Sequence, residues 1–149
     1  MIVKMNGDAL VETDDSVCVS VCKEVLQSYI DKRHRDVGIE YNYRTIDEVF
    51  LYLNTTANIV LIEDTYLFIY TAGYNYFSYD RILQEELLCK YGDKHMDFSV
   101  VTSAIEKLAA LENCNMIQMG TLADSTGLLP RLYRMHGYRE IARTHLKEV

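Results

Sequence analysis

The chain contains no tryptophan, one proline (Pro130) and only seven glycines in 149 residues. So few chain breakers leave no room for a long flexible linker or a collagen-like or low-complexity segment, and no internal repeat is visible. Long hydrophobic runs are also missing. No stretch approaches the roughly 18 apolar residues that span a bilayer. The opening MIVKMNGDALVETDD has neither an apolar core nor a cleavage-like segment, so no secretory signal is read. These absences predict a cytoplasmic protein with no membrane partner.

Basic charge is scarce: 15 Lys and Arg stand against 22 Asp and Glu, for a net charge of −7. That balance argues against broad electrostatic binding to nucleic acid or to anionic lipid. The densest basic cluster, Lys32-Arg33-His34-Arg35, reads as a solvated helix end. Four cysteines, Cys18, Cys22, Cys89 and Cys114, are too few and too scattered for a disulfide framework. Cys18 and Cys22 stand at i and i+4, but a zinc site needs about two more ligands, and His34 and His95 do not supply them. Reduced, buried thiols without a metal are expected.

What is present fits one globular domain over 1–149, with 49% hydrophobic and 25% charged residues. Twelve tyrosines are many for this length, and Tyr66, Tyr70, Tyr74, Tyr76 and Tyr79 fall close together. Stacked bases would want interleaved Lys and Arg, and residues 57–80 contain neither. A half-buried sheet or an interaction surface is the better reading, since tyrosine has a dry ring and a wet tip. Tyr74, Tyr76 and Tyr79 are the candidate interface residues, for a protein partner or for self-association.

Along the chain, residues 2–5 read as a short strand or an extended arm. Asp14, Asp15 and Ser16 supply cap chemistry for a helix over 16–33. Its apolar stripe is Val17, Val21, Val25 or else Cys18, Cys22, Val25, Leu26, Tyr29, and Gly38 follows as a break. Thr45 and Glu48 form a capping box for a helix over 46–53. NIVLIED and YLFIYTAGY read as strands around a Glu63-Asp64-Thr65 joint. ILQEELLCKY, over 82–91, is rich in helix formers and ambiguous by pattern.

A helix over 98–112 carries Val100, Val101, Ala104, Ile105, Leu108 and Leu111 on one stripe. A strand over 116–122, a helix over 126–136 ended by Gly137, and a last strand over 138–147 complete the reading. Mixed elements of this kind predict an α/β (α+β) domain, with a mixed sheet of about six strands and about four helices.

The last helix carries the most specific pattern: Leu132-Tyr133-Arg134-Met135-His136-Gly137-Tyr138. Together with the element order from residue 59 onward, it resembles the GNAT acyltransferase superfamily, whose last helix ends in a tyrosine, three residues, a glycine and an aromatic. Leu132 stands where that family has a first aromatic. The resemblance implies that 82–90 is a strand. It implies that Tyr133 is a general acid and that Glu85 or Glu86 takes a proton from an amine. It also implies that Thr126 stands near a position where many members have asparagine.

The family's cofactor loop gives small residues whose backbone N–H groups approach the pyrophosphate of acyl-CoA at a helix N-terminus. Here the corresponding stretch is KYGDKHMDFSVV. Gly92, Lys94, His95 and Thr126 would bind acetyl-CoA if it binds. Met96, Asp97 and Phe98, however, stand where small residues are expected. Asp93 and Asp97 would repel phosphate by roughly 1–4 kcal/mol per close pair, and Asp97 with Ser99 makes a good cap for the helix itself.

Two roles follow. In the first the chain is a GNAT-like domain with a degraded acyl-CoA loop and no cofactor, acting through protein contacts. It is similar in this to degenerate members among small tailed-phage proteins, including virion-associated ones. The alternative is an acetyl-CoA-dependent N-acyltransferase acting on a primary amine. No Gly-x-Ser-x-Gly elbow, P-loop or dinucleotide fingerprint is present.

Overall fold

The computed structural model describes residues 1–38, 41–120, 127–142 and 145–149, with backbone alone over 34–37. Two adjoining strands, Ile59–Ile62 and Leu67–Tyr70, are buried at every position. Strands with an apolar residue on both faces must be covered on both sides, and this sets the architecture.

Among the described residues six strands form one sheet: β1 (Ile2–Asn6), β2 (Ala9–Thr13), β3 (Asn58–Ile62), β4 (Tyr66–Tyr74), β5 (Arg81–Lys90) and β6 (Met116–Gln118), in the order β2-β1-β3-β4-β5-β6. The β1/β3 and β5/β6 pairs are parallel and the other pairs antiparallel. The helices are α1 (Ser16–Val37), α2 (Ile46–Thr56), α3 (Phe98–Leu111) and α4 (Leu128–Met135).

On one face Val60, Ile62, Phe68, Tyr70 and Leu83 pack against Val101, Ala104, Ile105 and Leu108 of α3. On the other, Ile59, Leu61, Leu67 and Ile69 meet Cys22, Val25 and Leu26 of α1 and partly buried residues of α2. The second of the two α1 stripes is therefore the inward one, and Val17 is 66% exposed. On α3 the buried stripe takes in Ala109, while Val100 and Leu111 lie outside it.

α2 begins as its sequence dictates. Thr45 accepts from Glu48 N–H at 3.3 Å, and Thr45 N–H donates to the Glu48 carboxylate at 2.9 Å. Replacing Thr45 with alanine should lower stability by about 0.5–2 kcal/mol, read as a shift of the urea midpoint at unchanged slope.

Several boundaries differ from expectation. β2 makes a hairpin with β1 across Gly7-Asp8, with Asn6 opposite Ala9, where only the first strand was foreseen. β6 ends at Gln118, and 121–122 of its expected range lie outside the described residues. The expected strand over 138–147 is not formed in 138–142 or 145–149. The reason is local. Gly137 takes φ +88°, its N–H donates to Arg134 carbonyl and that of Tyr138 to Tyr133 carbonyl at 3.0 Å. This is the six-to-one closure of a Schellman cap, sealed by the Tyr133–Tyr138 ring contact. It turns Tyr138 back onto α4 instead of along a sheet edge.

All four cysteines are free thiols. Among the described residues no helix is long and apolar enough to cross a membrane.

Candidate functional site

β5 runs ten residues, but β6 accompanies it only from Ile82 to Gln84, opposite Met116 to Gln118. Beyond Gln84 the ladder between the two parallel strands ends. At that point β5 also bulges: Ile69 pairs with Leu87 and Tyr70 with Glu85, leaving Glu86 extra. A bulge re-aims the side chains beside it, and it separates the two candidate carboxylates. Glu86 is exposed and accepts from Thr71 Oγ1 at 3.2 Å. Glu85 is half-buried just past the end of that ladder, where its Oε2 accepts from Gly120 N–H at 2.6 Å.

Tyr133 reaches the same glycine from α4. Its hydroxyl donates to Gly120 carbonyl at 3.4 Å, and the residue is buried. Glu85 and Tyr133 thus meet on the two polar groups of one residue. Burial pushes the Glu85 carboxyl from its ordinary 4.5 up to about 7, against the lowering effect of the Gly120 and Leu88 N–H groups. Burial first, then the Glu85 charge, holds the Tyr133 phenol far above its ordinary range. A carboxyl near neutrality beside a buried phenol can exchange protons at neutral pH.

Tyr138 completes the cluster and was not foreseen. Its ring lies 5.3 Å from that of Tyr133, and its buried hydroxyl has no hydrogen-bond partner among the described residues. Burial, then the charges of Glu106 and Glu85, raises its phenol to about 12. Its aromatic character was legible in the helix–Gly–aromatic pattern; its inward turn depends on the Schellman closure. Gly120 carried no sequence signal, because only its backbone is used.

The stretch expected to face a pyrophosphate is engaged internally. Gly92 N–H and Tyr91 N–H both donate to Thr65 carbonyl, at 3.1 and 2.8 Å. A Cβ on Gly92 would meet Asp64 carbonyl oxygen at 2.8 Å, so this glycine serves close packing on the β3–β4 turn. Lys94 and His95 are exposed. Asp97 is the N-cap of α3 and accepts from Ser99 N–H at 2.8 Å, a bond that holds its carboxyl below the usual range. Met96 and Phe98 pack against the core, with the Phe98 ring 6.0 Å from Tyr133 and 5.7 Å from His136. The N–H groups of Tyr91, Gly92 and Ser99 are thus engaged within the chain, and Asp97 puts a negative charge at the start of α3. Thr126 lies outside the described residues.

The β4–β5 tip is the other candidate surface. Tyr74 is 73% exposed, and Tyr76, Phe77 and Tyr79 are 97% or more. The tip is nonetheless built. Asn75 N–H donates to Asp80 carbonyl, Phe77 N–H to Asn75 Oδ1, and Asn115 Nδ2 to Asp80 Oδ1 at 2.6 Å. The Arg81 guanidinium lies over the Tyr74 ring. Two concavities, of about 230 and 430 Å³, lie between the β1–β2 hairpin and α3, the first reaching Ser99 and Val100 in the first turn of that helix.

The described residues form a six-stranded mixed sheet with helices on both faces, and the chain has the fold of the GNAT acetyltransferases. No protein-family model matches it, and no curated protein sequence does. Solved structures do. It is similar to a ribosomal-protein-alanine N-acetyltransferase from Brucella melitensis biovar Abortus, at TM-score 0.60 and 11% identity over 88% of this chain and 93% of that one. It is similar also to a predicted acetyltransferase of Clostridium acetobutylicum solved with acetyl-CoA, at 0.55 and 13% over 90% and 92%. A third, an aminoglycoside acetyltransferase from an uncultured soil metagenomic sample, aligns at 0.55 and 10% over 88% and 91%.

Proposed function

We propose that this chain is a GNAT-fold binding module that works through protein contacts rather than through acyl-CoA, a role suited to a virion-associated or a cytoplasmic protein. The observation that carries the reading is the self-capped start of α3: Asp97 holds the Ser99 amide that a pyrophosphate would need. Tyr74, Tyr76 and Tyr79 on the anchored tip are the contact residues, because exposed aromatics are typical interface anchors.

A second reading, N-acyl transfer to a primary amine, is favoured by the convergence of Glu85 and Tyr133 on Gly120. There Glu85 takes the amine proton and Tyr133 supplies one to the leaving group.

Calorimetric titration with acetyl-CoA separates the two. No saturable heat up to about millimolar ligand is expected, which corresponds to binding weaker than about −4 kcal/mol. Micromolar binding, with turnover abolished by Tyr133→Phe, would establish the enzyme in its place.

A further inference from the structure

Among the described residues nothing pairs with the outer side of β2, which is the edge of the sheet. Its position in the strand order leaves alternate backbone N–H and C=O groups of Ala9–Thr13 without a ladder partner. Neither face of the strand is covered: Leu10 is 41% and Val11 58% exposed, and only Thr13 is half-buried. Proteins usually blunt such an edge with lysine, proline or a bulge. Here the β1–β2 register runs unbroken from Ile2 opposite Thr13 to Asn6 opposite Ala9, and the strand holds neither lysine nor proline.

The charges around this edge are of one sign. Asp8, Glu12, Asp14 and Asp15 are all exposed. The nearby cations are already paired, Lys107 with Asp8 and Lys4 with Asp64. Pairing with Met5 and Val3 sets Leu10 and Glu12 on the α3 side, where Met5, Leu10, Ala110 and Leu111 line the cavity of about 430 Å³. Val11 and Thr13 face the other side, with Lys4 and Ile2.

This charge pattern disfavours a second copy as the occupant. In a two-fold antiparallel pairing centred on Leu10, Asp8 stands opposite Glu12. Centred on Val11, Asp8 stands opposite Asp14; centred on Glu12, that residue faces itself. Like charges directly opposite destabilise each pairing.

We propose that β2 is a docking edge for an extended strand of a partner protein in which basic and β-branched residues alternate. Its main chain completes the β2 ladder. Its Lys or Arg side chains lie on the α3 side against Glu12 and Asp14, with one aliphatic stem over Leu10. Its β-branched residues cover Ala9, Val11 and Thr13. The edge is separate from the aromatic tip, so this inference stands or falls independently of the proposed function.

The probe is an eight-residue peptide of alternating Lys and Val, titrated into the full chain by calorimetry, with amide hydrogen exchange read on the complex. One-to-one binding is expected, with new protection confined to β2. The Glu12→Lys/Asp14→Lys variant should bind at least tenfold more weakly. The same peptide with every backbone amide N-methylated keeps its charge and should not bind. Four results would overturn the proposal: no binding of the Lys–Val peptide, undiminished binding of the N-methylated one, undiminished binding by the double variant, or a homodimer protected at β2.

Discussion

Leu108→Ala should destabilise the protein by about 2–5 kcal/mol, while Leu111→Ala on the same helix costs less than about 1 kcal/mol. Both changes remove the same atoms, so side-chain chemistry cannot separate them. Burial does. Leu108 is 3% exposed and packs with Phe68, Tyr70 and Leu83 under α3, whereas Leu111 is 63% exposed at the end of the helix. Removing three carbons from the first site leaves a cavity that the sheet cannot close; at the second, water fills the space. Urea unfolding of both variants at constant slope measures the contrast. Equal midpoints would mean that α3 is not seated on the sheet.

That docking was legible before any coordinates, because the stripe on α3 is apolar at three-to-four spacing and its start carries a recognisable cap. The β3 and β4 strands were legible for a related reason: each is a continuous apolar run bounded by turn residues. β5 was not. Its Leu, Gln, Glu and Lys residues favour a helix, and only pairing with β4 along its length and with β6 at its start makes it a strand. Here tertiary context overrides local preference. The β1–β2 hairpin went unread although Gly-Asp between two short apolar runs is a turn signal. The tail after Gly137 failed in the opposite sense. Its alternation suggests a strand, but the Schellman closure draws Tyr138 away from the sheet.

The site was legible in part. Tyr133 and Glu85 were both foreseen, and the fold brings them to one glycine. What separates Glu85 from Glu86 in space is the bulge, a feature of strand pairing with no mark in a single sequence. Gly92 was foreseen as a cofactor residue because glycine loops cradle phosphates. In the structure its N–H is held by Thr65 and its Cα lies against the β3–β4 turn. The motif and the packing role call for the same residue type, so only coordinates separate them. The aromatic tip was visible from composition, but the Asn75, Asp80 and Asn115 bonds that hold it depend on residues far apart in sequence.

Glu85→Gln should make the protein more stable at neutral pH, by up to about 3 kcal/mol. The sign follows from linkage. Burial raises the folded-state carboxyl from 4.5 to about 7, so between those values the folded state holds a proton that the unfolded state has released. Stability then falls as pH rises through this window and levels off above it. The full loss is about 3 kcal/mol at 1.36 kcal/mol per unit. Glutamine keeps an oxygen to accept from Gly120 N–H but has no charge to bury, so its stability should be flat across the window. Denaturation of both proteins between pH 4.5 and 8 gives a difference curve that should rise and bend near 7. A flat difference would mean that the carboxylate is well hydrated, and the observation favouring acyl transfer would lose its force. If the bend is found, the chain carries a group that costs stability at neutral pH, the kind of local conflict that collects at working sites. Acetyl-CoA then decides its meaning. In a binding module the glutamine variant is simply the more stable protein, whereas in an enzyme the added stability comes with loss of the group that accepts the amine proton.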